Sequence, residues 1–239
     1  MAGTAVVAVR CADDREHVLA VADGVRALLS ADRGVVLASP GDVAGAVTLA
    51  IGTTRSGRRA ASVVAHILVD PADPAFAHLD GALDPAPLGV LETEAISNLV
   101  GSGFPVVVTG HVPVVPCGNT YQQVTAILDE AAAAQRLAGD LGAPELIFVV
   151  GDDESPAAGE IDVVEAEARL AAEPGLAPEL RAAVRFLRAG GQLAVITTAP
   201  HIAAALDGSD DAAVSETLRI HRELTRARSE APALAAGWC

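Results

Sequence analysis

Chemistry-bearing side chains fall at a few places in this sequence. His111 lies in FPVVVTGHVPVVP (104–116), where an apolar β-branched run at 105–108 meets a Thr109-Gly110-His111 break. Such a run fits a buried strand, and the break fits a turn at its carboxyl end, the edge where open parallel sheets hold ligands. An imidazole there can meet an anion or a metal; a lone histidine equally serves as a hydrogen-bond partner of its own turn. Asp129 and Glu130 are adjacent carboxylates. On a helix neighbours i and i+1 diverge, so they make a poor acid–base pair. Gly151-Asp152-Asp153 follows the apolar run ELIFVV at 145–150, as a ligand-facing or a solvated acidic turn. Arg10 ends the first apolar run as a cation, or as half of a surface ion pair.

Other chemistries are excluded or disfavoured. All sixteen basic residues are arginine, so no lysine serves as Schiff base, general base or phosphate ligand. Cys11, Cys117 and Cys239 are odd in number and widely spaced, which fits reduced thiols better than a disulfide frame or a zinc site. His17, His66, His78, His201 and His221 show no cluster, and Walker, HExxH, GxSxG and CxxC patterns are absent. No metal is expected.

The elements that position these residues alternate strand and helix. With 239 residues, 51% of them hydrophobic, the chain can bury the core of one domain spanning 1–239. Strands are expected at 5–9, 34–38, 105–108, 145–150 and 193–197. Helices are expected at 15–29, 43–51, 93–101, 121–141, 179–189, 201–206 and 212–228, with a partly helical acidic stretch at 156–178. Residues 39–42 read as a turn, 52–59 as a flexible basic loop, 60–68 as a helix running into a strand or a strand alone, and 70–89 as a connection rich in Pro, Asp and Gly. Glu92 and Glu94 lie where a helix dipole favours them. Residues 229–239 read as a tail, loose or docked by Trp238. Such alternation gives a parallel sheet covered on both faces. A formal charge of −15 argues against nucleic acid or anionic membrane as partner. No apolar run approaches the ~18 residues of a membrane span, and the start MAGTAVVAVRCADD has no signal-peptide pattern; a cytoplasmic protein is expected.

Four segments carry a family resemblance. HILVDPADPAF (66–76), LETEAISNLVGSGFPVVVTGHVPVV (91–115), QQVTAILDEAAAAQRLAGDLGAPELIFVVGDD (122–153) and PGLAPELRAAVRFLRAGGQLAVITTAPHIAAALDG (174–208) resemble, in order, segments of carbamate kinase, a branch of the amino-acid kinase superfamily. The resemblance implies a three-layer αβα sandwich around a mainly parallel sheet, assembled as a homodimer. It matches Asp129 to the first aspartate of a catalytic Asp-Lys-Asp, with Glu130 in place of the lysine and Ala131 in place of the second aspartate. Glu179 stands where the family has a second lysine. Asp153, after Gly151, matches an aspartate near the nucleotide.

The phosphate-cradling glycine turns of that family are replaced by Val9-Arg10-Cys11, by Ser39-Pro40-Gly41 and by Thr109-Gly110-His111-Val112. The inserted lid subdomain is reduced to 70–89, and 43–59 is trimmed. Phosphoryl transfer depends on positioning and on positive charge against the transferring group. A like-charge pair about 4 Å apart costs ~4 kcal/mol at an effective dielectric of 20, so two lysine-to-glutamate exchanges remove the catalyst.

The expectation is a carbamate-kinase-like protein without phosphotransfer, acting in binding, as a scaffold or as a regulatory subunit, with an active enzyme as a candidate partner. Arg10, Ser39, Gly41, Gly110, His111, Gly151 and Asp153 are its ligand-binding candidates. One alternative is an active carbamate kinase, making ATP and carbamate from carbamoyl phosphate and ADP, with Arg10 standing in for a lysine. The other is an altered enzyme of carbamoyl or small-acid metabolism using Asp129, Glu130 and His111. No cofactor is expected unless the site is active, in which case ATP and Mg apply.

Overall fold

The β-branched runs of this chain form the middle of a ten-stranded sheet in a computed structural model describing residues 2–10, 15–39, 41–52, 58–70, 82–83, 87–124, 126–151, 158–172, 178–207 and 216–223. In chain order the elements are β1 (Ala2–Val9), α1 (Arg15–Ser30), β2 (Arg33–Ala38), α2 (Gly41–Ile51), β3 (Ala61–Val69), β4 (Ala82–Leu83), β5 (Pro87–Val90) and α3 (Thr93–Gly101). There follow β6 (Val106–Cys117), β7 (Thr120–Gln123), β8 (Ala126–Ile127), α4 (Glu130–Asp140) and β9 (Glu145–Val150). The rest is β10 (Gly159–Asp162), α5 (Val163–Ala172), α6 (Pro178–Arg188), β11 (Leu193–Thr198), a short 3-10 turn (Ala199–His201), α7 (Ala204–Asp207) and β12 (Leu218–His221).

The sheet runs β10-β12-β11-β9-β1-β2-β6-β3-β5, with β7 pairing β6 at the side. Its central six strands, β11 to β3, are parallel; β12, β5 and β7 each add an antiparallel pairing. Parallel strands must bury both faces, and side chains alternate between them. In β1, Val6 and Ala8 face a core with α3, α4, α5 and α6, whereas Ala5, Val7 and Val9 face a core with α1, α2 and the 199–206 segment. The result is the expected three-layer αβα sandwich. β1 is its switch point, because β2 lies on one side of it and β9 on the other. Ligands favour the crevice at the carboxyl ends of strands at such a point. Among the described residues no helix is long and apolar enough to cross a membrane.

Several local expectations are corrected. The expected turn at Thr109-Gly110-His111 lies inside a twelve-residue strand, because β3 keeps pairing with β6 past it. Val63 faces Val108 and Ala65 faces His111, so β6 spends three residues where β3 spends two. That is a bulge, which bends a strand and re-aims its side chains. The long helix expected at 121–141 is replaced by β7, β8 and the shorter α4. Gly118, at φ +61°, opens a two-residue loop that lets Cys117 and Thr120 pair as a hairpin.

The turn expected at 39–42 is shorter, since α2 begins at Gly41. Residues 61–69 are strand alone, and β5 claims the end of the 70–89 connection. The stretch at 156–178 holds a strand, β10, before its helix. In place of a helix at 212–228, Leu218–His221 alternates buried and half-buried and inserts between β10 and β11. Cys11, His78, Asp153, Cys239, the core of the 52–59 loop and the tail lie outside the described residues.

Candidate functional site

The carboxyl ends of β1, β2 and β9 and the β6 bulge meet the amino ends of α4 and α6 around a cavity of about 470 Å³, within the range of small-molecule sites. Backbone pairing fixes two of its rims. Arg10 N–H donates to Val149 O (3.2 Å), extending the β1–β9 ladder by one residue, and Ser39 N–H donates to Val108 O (3.2 Å) as β2 leaves β6. Beyond Ser39 only β6 and β3 continue, and this opening brings Gly110 and His111 onto the wall. The apolar surface comes from Ala8, Val9, Ala38, Leu128, Phe148 and Val149.

Of the sequence candidates, Arg10, Ser39, Gly110, His111, Asp129, Glu130 and Glu179 all line this cavity. Gly151 follows β9 outside its described lining, and Gly41 opens α2. The residues close up because β1 ends just before Arg10 while α4 and α6 both start at the same sheet edge.

Each charged group has a defined setting. Glu179, in the first turn of α6, is only 2% exposed, and its Oε1 accepts from Arg10 Nη1 at 3.0 Å. Its Oε2 is buried without a hydrogen-bond partner among the described residues. Arg10 spans the rim with 40% of its side chain exposed. Ser39 Oγ and His111 Nε2 are likewise buried and without a hydrogen-bond partner among the described residues. Buried polar atoms are ordinarily satisfied, so three unsatisfied ones on one cavity mark a place for a ligand. Burial pushes the His111 imidazole down from 6.5 to about 4; the ring is neutral at pH 7. One guanidinium against three carboxylates then leaves the described lining at a formal −2.

Asp129 has a structural task. It is the N-cap of α4, and its Oδ1 accepts from Ala131 N–H (2.8 Å) and Ala132 N–H (3.1 Å), satisfying donors that a helix start leaves orphaned. D129A is expected to lower stability by about 1 kcal/mol and D129S to restore most of it, read from urea denaturation midpoints. Arg136 is half-buried. It pairs with Asp140 (2.7 Å), whose other oxygen accepts from Val90 N–H (2.8 Å), tying α4 to β5. Glu92, expected to serve the dipole of α3, turns to His66 instead, accepting from its backbone N–H (2.7 Å) and meeting its Nδ1 (2.6 Å).

Nothing local in the sequence marks Arg10 and Glu179 as a pair. The signal is two opposite charges, one at a strand end and one at a helix start, 169 positions apart. Phe148 and Leu128 are hidden among ordinary apolar residues.

Comparisons with known proteins place these observations. No family model matches the chain. It is 35% identical over 140 residues to a carbamate kinase of Halobacterium salinarum, covering 52% of this chain and 46% of that one. It is 28% identical over 152 residues to a carbamate kinase of Lentilactobacillus hilgardii, covering 56% and 47%. The chain thus spans about half the length of the curated relatives it matches. Among solved structures, the carbamate kinase of Giardia lamblia superposes with a TM-score of 0.75 at 19% identity, covering 93% of this chain and 100% of that one. An N-acetylglutamate synthase of Neisseria gonorrhoeae gives 0.59 at 16%, covering 92% and 62%.

Proposed function

We propose that this chain, a relative of the carbamate kinases with the amino-acid kinase fold, binds a small ligand in the cavity at the β1 switch point and does not transfer phosphoryl groups. The observation that carries this is Glu179, a buried carboxylate on the cavity wall with the guanidinium of Arg10 turned onto it. A transferring phosphoryl group needs cations preorganised around it. Here the one described Lys or Arg of the lining is engaged by a carboxylate, and Asp129 and Glu130 stand beside it. Bringing a polyphosphate into that wall costs ~4 kcal/mol for each like-charge approach of about 4 Å.

The same proposal makes residues 1–239 one carbamate-kinase-like domain with a reduced lid, acting in the cytoplasm as a homodimer and serving as a binding, scaffold or regulatory partner of an active enzyme. Sedimentation tests the dimer. An excess of 31 acidic over 16 basic residues supports a partner other than nucleic acid. The decisive test is a coupled assay on the pure protein in both directions, carbamate plus Mg-ATP and carbamoyl phosphate plus Mg-ADP. No turnover above the protein-free blank is expected. Clear turnover lost in R10A would overturn the proposal and establish an active kinase with an arginine in the lysine's place.

A further inference from the structure

We propose that this cavity recognises a small organic cation, an ammonium or guanidinium head on a hydrocarbon body, with Glu179 Oε2 as the anchoring acceptor; this rests on the pocket being a binding site without phosphoryl transfer. Glu179 lies nine-tenths and more out of solvent, and one of its oxygens is spent on Arg10 while the other has no partner among the described residues. A buried carboxylate oxygen left unsatisfied is costly, and an N–H of a cation is the strongest donor that can relieve it. Ser39 Oγ, on a residue 4% exposed, and His111 Nε2 are further groups on the same wall that have no partner among the described residues, each able to accept an N–H. Glu130, exposed at the start of α4, adds negative charge at the rim.

A metal ion fits less well. Among the described residues no three His, Cys, Asp or Glu side chains are placed to hold one, and most of the wall is hydrocarbon. An anion would look to Arg10 and to the amino ends of α4 and α6. Those positive features are already engaged: Asp129 takes the first free amides of α4, and Glu130 and Glu179 occupy the first turns of the two helices. What the cavity leaves unmet is a demand for donors. Phe148, Leu128 and Val149 supply the apolar surface for the ligand's body, which gives binding beyond a bare charge.

Titration calorimetry on the full chain tests this with butylguanidinium and benzylammonium as probes, and with benzoate and benzyl alcohol as size-matched anionic and neutral controls. One-to-one binding of the cations, at least tenfold tighter than either control, is expected. E179Q keeps the shape and should weaken the cations at least tenfold. S39A, a smaller perturbation, should weaken them about threefold, so the inference stays testable where E179Q fails to fold. E167Q, in the exposed Arg188 pair, should leave them unchanged. Preference for benzoate, or unchanged cation affinity in a folded E179Q or S39A, overturns the inference. The kinase assay is independent: turnover there defeats the proposed function, whereas absent cation binding with no turnover defeats only this inference.

Discussion

The double substitution E130K/E179K is expected to raise the affinity of the cavity for Mg-ATP or inorganic pyrophosphate on the order of a thousandfold over wild type. Among the described residues, wild type presents one guanidinium and three carboxylates to the cavity. The double variant presents three cations and one carboxylate, turning a formal −2 into +2. Each reversal exchanges a repulsion of ~4 kcal/mol at about 4 Å and a dielectric of 20 for an attraction of similar size. Most of that gross swing is lost to desolvating the phosphates and ordering two lysine side chains, and about 4 kcal/mol is expected to survive.

The ligand-free double variant should be less stable than wild type. The ammonium introduced by E179K would lie beside Arg10 in a position only 2% exposed, and breaking a buried pair typically costs roughly 3–5 kcal/mol. Phosphate ligands should restore that stability by mass action. A melting-temperature series in pyrophosphate is therefore expected to be flat for wild type and to rise steeply for the variant, fading with added salt. E130K alone, at an exposed position, should give a small part of the effect. Affinities of wild type and double variant within threefold of each other would show that charge is not what bars phosphate, and would shift attention to the side chains filling the glycine turns. The same variant should lose the cation affinity inferred for wild type.

How much of this site is legible in the sequence depends on the range of the interaction involved. The strands β1, β9 and β11 are legible because their two-sided burial demands continuous apolar runs, and α3 has the bounds its pattern predicts. Both are decided by neighbours in the chain. The β6 bulge is not legible, since a Thr-Gly-His break reads locally as a turn and only the continued pairing with β3 makes it strand. The segment 121–141 reads as one helix because its alanines and leucines outweigh two short signals, the Gly118-Asn119 hairpin loop just before it and the Asp129 cap within it. For the site, the candidate residues can be named one at a time. That Glu179 is buried and bonded to Arg10 follows from where two elements 169 residues apart dock, which no local pattern encodes.

The neutral His111 should leave a measurable acid signature. Burial holds its folded-state value at about 4, against 6.5 for an unburied imidazole. Above pH 6.5 the ring is neutral in both folded and unfolded chains and contributes no pH dependence. As pH falls through 6.5 the unfolded chain takes up the proton and the folded chain does not, so stability falls and keeps falling until about pH 4. The full span is about 3 kcal/mol, of which about 2 kcal/mol is gone by pH 5, before most carboxylates titrate. H111Q should remove most of this slope, leaving only the smaller decline of the same sign that the burial-lowered imidazole of His221 adds, so that its urea-derived stability falls less than that of wild type from pH 7 to pH 5. Parallel slopes would mean that the imidazole is hydrated rather than buried. The charged groups sharing the cavity with it, Arg10, Asp129, Glu130 and Glu179, also make the slope a reporter of the ligand's sign. A bound cation penalises the imidazolium further and extends the acid-sensitive range below pH 4. A bound anion stabilises the imidazolium, raises its pKa and flattens the limb. Repeating the wild-type pH series with saturating butylguanidinium should therefore move the end of the decline to lower pH, the direction opposite to that which a phosphate ligand would give.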